Sequence, residues 1–575
     1  MGFSDDEKKS GPVVNNPEAH ADESDTDQIS LDAQDGVKQI EATTKVWTKT
    51  ALIVAYVMIW VIYFVDSTQQ GTTGTLTTYV TSKFDHHSLT PAVNIMSSLI
   101  GGISKLTLAK ILDVWGRPQG YLVSIIICTL GIIMMAACRN VETYAAAQVF
   151  YWVGYNGLDY TLSIFIADTS SLRNRSLMFA YASSPYFITT WIAGYIAQSV
   201  TRPGGIGLNW GFGVFAIVTP AVTLPLFALF WYNLRKAKKM GFLQKEPSGR
   251  SALGSVWHYA IEFDALGLLL SSGGLALFLL PFSLYSYQAD GWRSPLVICM
   301  IIFGGLLLVA FAAWEKYFAP VKMLPWQLLT DRTIMSACVL AGTIFASFYI
   351  WNSFFFSFLL VVNGLSTEHA TYVSNIYSMG SCLWAIVTGL FIRWNGHFKW
   401  VAIGFGMPVT ILGVALMINF RQPGVNIGYI IMCQIFIAVA GGTLVICEQL
   451  AVMAAVGHQH VAIVLAVEAM FSSIGGAVGQ TIATAIWTSV FPERLARYLP
   501  AESQGNLTAI YGDIGTQLSY PIGDPTRSAI MHAYGDTQRY MLIASTVTLF
   551  IALASVFFWR DINVKNMKQV KGNVI

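Results

Sequence analysis

Four acidic residues stand inside runs that are otherwise apolar: Asp66, Asp159, Glu448 and Glu468. An ionisable side chain at the centre of a bilayer costs about 2.5–3.5 kcal/mol on insertion scales, so each needs a reason to be there. Glu448 and Glu468 are equally far in sequence from the His458 turn, which places them at one depth on successive helices. Two carboxylates facing each other in a low dielectric compete for a proton, the condition for a proton carrier near neutral pH. The plainer reading is that each hydrogen-bonds within a helix bundle. Asp159 sits in GYNGLDY beside Asn156 and Tyr160, well inside its run, where it can serve cargo or proton. Asp66 follows Trp60, Tyr63 and Phe64 and is either a cavity acid or a carboxylate at a helix end in the headgroup zone. The aromatic residues beside Asn156 and Asn352, Tyr160 and Tyr349 among them, suit a bulky amphipathic ligand rich in carbonyl groups, and Tyr63 joins them as a substrate residue. Asp168, Arg173 and Arg175, in ADTSSLRNR at the end of the same run as Asp159, suit gating or structural ion pairs.

The energy source is constrained by what is missing. No GxxxxGK[ST] loop occurs, and Gly204-Gly205-Ile206-Gly207 lacks the following Lys, so transport must run downhill or borrow an ion gradient. All seven cysteines fall within or at the edge of apolar runs, which argues for packing and against a disulfide framework or metal site. No cofactor is expected. The N-terminus is polar and has no apolar core of the signal-peptide kind.

The elements that must position these acids are membrane spans. The chain is 54% apolar and 11% charged, too little charge for an ordinary soluble surface. A helix needs about 20 apolar residues to cross the hydrocarbon layer. Fourteen runs qualify, beginning near Trp47, Pro91, Tyr121, Tyr144, Leu177, Trp210, Leu266, Leu296, Ile334, Ala370, Val401, Ile427, Val461 and Tyr540. The expected protein is an all-α polytopic membrane protein with both termini on one side. Lys and Arg are concentrated in the segments that share a side with the N-terminus, as in RKAKKMGF after Leu234, which makes that side cytoplasmic. Residues 1–45, rich in Asp, Glu and Ser, read as a disordered acidic tail. Residues 46–233 form a first six-helix bundle, 234–262 a basic cytoplasmic loop, 263–315 two inserted helices, 316–559 a second six-helix bundle and 560–575 a cytoplasmic tail. Within the second bundle, 492–539 is expected to be a long outer loop carrying Tyr520, Tyr534 and the glycosylation sequon at Asn506. A loop that long in a compact transporter is more often functional than idle.

Leu108 to Pro118, LAKILDVWGRP, is a charged hinge between two apolar runs. Ala109, Asp113, Gly116 and Arg117 fill the places of a small residue, an acid, a glycine and a base in the cytoplasmic loop between helices 2 and 3 of the major facilitator superfamily, which this stretch resembles. Val114 and Pro118 stand where that family usually has bases. Gly389 to Lys399 has the same length and glycine spacing in the second half, with Arg393 in place of the acid. The resemblance implies a facilitator fold whose cavity is lined by helices 1, 4, 9 and 12, so three of the four acids fall on cavity helices. It also implies gating roles for Asp113, Gly116 and Arg117.

Helix 5 narrows the family. It reads AYASSPYFITTWIAGYIAQ, with Ser184-Pro185 where fourteen-span drug exporters carry a Gly-Pro motif. Together with IADTSSLRNRSLMFAYASSPY, Gly291-Trp292 and RSAIMHAYGDTQRY, the chain resembles the fungal siderophore-iron transporters. That resemblance implies proton symport of a ferric hydroxamate siderophore across the plasma membrane or that of an endocytic compartment, by a monomer in the lipid bilayer with no nucleic-acid partner. Tyr520 and Tyr534 would take part in recognition or gating, and Asp159, Glu448 and Glu468 in proton coupling. Iron would enter wrapped in its organic ligand, with no protein metal site. The competing readings are a multidrug exporter, a glutathione/proton exchanger and a receptor that does not transport.

Overall fold

The computed structural model describes residues 34–83, 90–201, 204–243, 252–285, 288, 290–321, 328, 330–565 and 567. Among the described residues every regular element is a helix, apart from one isolated bridge, His397 with Asn563. A short helix α1 (Asp35–Thr44) precedes the long ones: α2 (Lys49–Lys83), α3 (Thr90–Val114), α4 (Arg117–Ala137) and α5 (Val141–Thr169). Next come α6 (Leu172–Ser183), α7 (Tyr186–Thr201), α8 (Leu208–Lys239), α9 (Ala252–Glu262), α10 (Ala265–Leu279) and the short α11 (Pro281–Leu284). The second half comprises α12 (Pro295–Ala313), α13 (Arg332–Asn352), α14 (Phe355–Val361), α15 (Thr367–Asn395), α16 (Lys399–Phe420), α17 (Ile427–Ala454) and α18 (Val461–Tyr498). The small α19 (Leu507–Gly512) and α20 (Ile514–Ser519) lead to α21 (Pro525–Phe557).

Helix ends fall where side chains can satisfy free amides. Asn140 accepts from the Thr143 amide ahead of α5, Asp331 from Thr333 and Ile334 ahead of α13, and Asp524 from Thr526 and Arg527 ahead of α21. Gly396 ends α15 in the left-handed region at φ 84°.

Ten helices, among the described residues, are long and apolar enough to cross a membrane. The other four runs that were expected to span form helices of a different character. α3 and α5 have the length, at 25 and 29 residues, but are diluted by Lys105, Lys110 and Asp113 and by Asp159 and Asp168. The fifth is broken at Ser184-Pro185 into α6 and α7, because proline cannot supply the amide that would continue the ladder. The seventh, α10, is a short apolar helix of 15 residues. α13 and α14 are likewise separated by a break at Ser353, with Phe354 in the left-handed region at φ 58°.

α2 to α8 pack together as one half, and α13 to α18 with α21 as the other. Small residues set the closest approaches: a Cβ added at Gly475 on α18 would lie 1.9 Å from the Gly342 carbonyl oxygen on α13. α10 and α12 pack on each other, and α10 leans on α3 at the rim of the seam where α3 meets α18. The buried apolar side chains divide unequally. One core runs through both halves, from Leu106, Leu112 and Ile164 to Leu450, Val461 and Val464. Two others stay within a half, around Tyr151 and Phe165 and around Trp351 and Phe491. The halves are thus fused at the end where α5 turns into α6 and α17 into α18.

Two expectations are corrected. The acidic tail was expected to be disordered to residue 45, but Asp35–Thr44 is a helix with Val37, Ile40 and Glu41 buried against α3 and α8. The contact is made by backbone: a Cβ on Gly36 would come 2.3 Å from the Leu112 carbonyl oxygen, so only glycine lets α1 settle there. Residues 1–33 lie outside the described residues. The long loop expected at 492–539 is shorter, since α18 continues to Tyr498 and α21 begins at Pro525. Polar residues at those helix ends hide the periodicity from a search for apolar runs. The intervening 499–524 is folded, with Arg527 donating to the carbonyls of Gln517, Tyr520, Val361 and Leu360.

Candidate functional site

The hinge residues assemble at the fused end. The Arg117 guanidinium donates to Asp168 at 2.8 Å and to Asp113 at 3.3 Å, with all three side chains buried. It also donates to the Leu112 carbonyl oxygen at 3.0 Å, which closes the turn that Gly116 makes at φ 110°. Arg175 donates to the carbonyls of Ala167 and Ser170, holding the α5–α6 corner. Contacts then cross the seam. His458 Nε2 lies 3.6 Å from Asp168, and burial pulls its imidazole below the usual histidine range. Arg173 donates to the Arg393 carbonyl oxygen at 3.2 Å, and Gly389 lets α15 ride against Leu177 of α6. Asp113, Gly116, Arg117, Asp168, Arg173 and Arg175 therefore form one closure.

Tyr160, expected beside cargo, is placed in this closure instead. Its ring is 3% exposed and its hydroxyl donates to the Ala462 carbonyl oxygen on α18. On α5 consecutive side chains point about 100° apart, so Tyr160 can face the seam while its neighbour Asp159 does not.

Asp159 lies nine residues before Asp168, about 14 Å further along the helix. Its side chain is 38% exposed, although it sits in the interior of a long helix. Tyr63 donates to one of its carboxylate oxygens at 3.1 Å, and the Lys105 ammonium lies 3.5 Å from the other. Asp66, one turn beyond Tyr63 on α2, is 5% exposed and feels the Asp159 charge; its Oδ1 has no hydrogen-bond partner among the described residues. Asn156 bonds its own helix at the Trp152 carbonyl oxygen and packs on Gly101 of α3. Aromatic rings surround this level: Trp60 stacks on Phe64, Trp152 meets Tyr155, and the Tyr155 and Tyr186 hydroxyls share a hydrogen bond of 2.6 Å. Trp60 also donates to Ser184 at 3.0 Å, tying α2 to the broken helix.

The second half brings its acids to the same neighbourhood. Glu448 on α17 and Glu468 on α18 are buried, and each lies within electrostatic reach of the other. Ser472 donates to a Glu468 carboxylate oxygen at 3.4 Å, while Glu448 Oε2 has no partner among the described residues. The Lys105 charge acts on Glu468 as well as on Asp159. Lys105 therefore stands between acids of both halves, and it is not among the candidate residues that the sequence singled out. Its signal was available: it lies eight residues before Asp113, more than two turns inside α3.

Tyr349 on α13 is half-buried with its ring over Gly476, where a Cβ would lie 2.8 Å from it. Asn352 is the last residue of α13, at the break before Phe354. Tyr534 is fully enclosed by Trp487 and Phe491 and donates to Gln517 at 2.9 Å, so it struts the 499–524 segment and is not open to a ligand. Tyr520 is half-buried and gives its carbonyl to Arg527. Asn506 is exposed at the end of a short turn. Among the described residues no group of three or more His, Cys, Asp or Glu could hold a metal ion.

This arrangement has the parts of an alternating-access carrier: two helical halves, a closure at one end, and the solvent-exposed Asp159 with Lys105 beside it in the interior of long helices. The sequence profile of the Major Facilitator Superfamily matches residues 59–480. Among solved structures, the human organic anion transporter MFSD10 aligns with a TM-score of 0.53 at 12% identity, covering 86% of this chain and 98% of that one. A bacterial homologue of the iron transporter ferroportin aligns with a TM-score of 0.52 at 8% identity, covering 88% and 99%. These two establish the fold. The chain is also 60% identical to MFS siderochrome iron transporter 1 of Ajellomyces capsulatus, over 99% of its own length and 96% of that protein's. It is 41% identical to the siderophore iron transporter mirB of Emericella nidulans, over 99% and 94%. By its fold, its hinge and its full-length similarity, the chain belongs to the fungal siderophore-iron transporter family of the major facilitator superfamily.

Proposed function

We propose that this siderophore-iron transporter imports ferric hydroxamate siderophores by proton symport, across the fungal plasma membrane or that of an endocytic compartment. The observation that carries the reading is the series Asp66, Asp159, Lys105, Glu468 and Glu448, which runs from one half to the other at mid-depth. Ionisable groups in that position are costly unless they line a pathway or carry a proton. The aromatic surround, with Tyr63, Asn156, Tyr349 and Asn352 at its margin, suits a bulky chelate whose iron is already hidden by its ligand.

In this reading the protein is a monomer of fourteen spans with both termini in the cytoplasm, and the Arg117–Asp168 closure is the inner gate. The structure is then the outward-facing state, in which Asp159 is reached from outside. Cargo and proton bind, the closure at Tyr160, Arg173 and His458 parts, and both leave inward. A membrane potential supplies about 2.3 kcal/mol per charge per 100 mV, and each pH unit about 1.4 kcal/mol, enough to concentrate a scarce chelate. The 499–524 segment covers the outer end, with Tyr520 facing cargo, Tyr534 bracing it and Asn506 open to glycosylation.

The test is uptake of radio-iron on a panel of hydroxamate siderophores, in a strain lacking other carriers, with and without an uncoupler. Import is expected to collapse with the uncoupler, and Glu448→Gln to abolish accumulation while its surface amount stays normal. Uptake by Glu448→Gln equal to the parent at neutral pH removes that residue from the proton path. Toxin sensitivity on loss of the gene, with no defect in chelate use, would indicate an exporter.

A further inference from the structure

We propose that Lys105 is the shared counter-ion that couples the two halves, its ammonium pairing with Asp159 while Glu468 holds a proton and swinging towards Glu468 when that proton leaves. The inference rests on the symport reading above and names the residue through which that symport is enforced.

Its position is unusual. α3 carries Lys105 on the seam helix of the first half, where α3 meets α18 so closely that a Cβ on Gly102 would lie 2.3 Å from Ser473 Oγ. From there the ammonium reaches Asp159 at 3.5 Å and acts on Glu468, a residue of the opposite half. The charged groups that bear on this site are Asp159 on α5, Asp66 on α2 behind it, Glu468 on α18 and Glu448 on α17 behind that. One ammonium cannot balance four carboxylates, so its location depends on which of them carry protons.

The geometry favours movement over a fixed clamp. A committed ammonium–carboxylate bond is about 2.7–2.9 Å long, whereas this one is 3.5 Å. A lysine is a point charge on a flexible four-carbon stem, with no fork to lock it onto one partner. Its side chain is 16% exposed, and that of Asp159 is 38% exposed, so both have room to turn. When a proton neutralises Glu468, the cation belongs wholly to Asp159 and the seam at α3–α18 loses its charge link. When the proton departs inward, the link reforms and draws the halves back together. The bonds made and broken are one O–H bond at Glu468 and the two alternative ion pairs.

The experiment measures the pH dependence of radio-iron siderophore uptake for the parent, Lys105→Ala, Lys105→Arg, Glu468→Gln and Lys105→Ala/Glu468→Gln, each normalised to surface protein. Without the ammonium, Glu468 releases its proton only at a lower proton concentration, so Lys105→Ala is expected to move the optimum up by about one pH unit. Accumulation at the parent optimum should fall about tenfold, and Lys105→Arg should restore both to within about twofold. In the Glu468→Gln background the alanine change should shift the optimum no further. A Lys105→Ala profile scaled down without displacement, or an Arg variant as impaired as the Ala one, overturns the proposal and leaves a packing role. Parent uptake indifferent to uncoupler overturns the symport reading with it, whereas a coupled parent and an unmoved Lys105→Ala profile overturns this inference alone.

Discussion

Removing the Tyr160 hydroxyl should loosen the closure by a predictable amount. Tyr160 donates to the Ala462 carbonyl oxygen across the seam, with its ring and Ala462 both buried. When the seam parts, that hydroxyl exchanges its protein partner for water, so the bond contributes only its net value of about 0.5–1.5 kcal/mol to the closed state. Ala462 lies in the first turn of α18 and keeps its helical acceptor role, so Tyr160→Phe leaves no carbonyl stranded. At 1.4 kcal/mol per factor of ten, the closed-to-open ratio should drop about two- to twelvefold. The assay is alkylation of a single cysteine at Met453, which is 1% exposed beside Arg175, in a variant whose seven native cysteines are replaced. In inside-out vesicles, Tyr160→Phe should raise the alkylation rate by that factor, because reaction requires opening. An unchanged rate would refute the argument and return Tyr160 to the cargo role that its neighbour Asp159 suggested. A change far above twelvefold would exceed what the net value of one hydrogen bond can supply and would equally refute the argument.

Gly475→Ala should lower the thermal midpoint of the detergent-solubilised protein, since the new Cβ would lie 1.9 Å from the Gly342 carbonyl oxygen and overpacking costs about 1–3 kcal/mol. Gly404→Ala, with nothing within 4 Å of its Cβ, should leave the midpoint unchanged; equal effects at the two sites would discredit the close-packing account. Asp561 offers a pH prediction at the surface. Although partial burial acts to raise its pKa, hydrogen bonds from Trp400 at 2.9 Å and His397 at 3.0 Å hold its carboxyl below the ordinary range. A depressed carboxylate stabilises the fold above the unfolded pKa of about 3.9 and loses that contribution as pH falls through the folded value. Asp561→Asn should therefore narrow the difference in thermal midpoint between pH 6 and pH 3, and an identical difference in parent and variant would rule the contribution out.

The acids and the hinge were legible because each breaks a strong local rule. Asp66, Asp159, Glu448 and Glu468 interrupt apolar runs, and Asp113, Gly116 and Arg117 have fixed spacing. The common depth of Glu448 and Glu468 followed from counting residues about one turn. What escaped was set by partners distant in sequence. Tyr160 meets residue 462, Lys105 lies between residues 159 and 468, and Tyr534 is enclosed by residues 487 and 491. None of these pairings has a periodicity to read. α1 was missed because its composition is that of a soluble tail, and the feature that docks it is the absence of a side chain at Gly36. The 492–539 boundary was overdrawn because α18 and α21 extend past the apolar residues into Glu493, Arg494, Arg527 and His532.

The resting place of α1 has a mechanical consequence. Because Gly36 lies on main-chain carbonyls of Leu112 and Asp113, the helix is seated on the backbone of the hinge itself. Whatever way the first half tilts, the leader's point of departure travels with it as a fixed passenger. Pulling or crowding on residues 1–33 is then delivered as leverage on the corner that Arg117 closes.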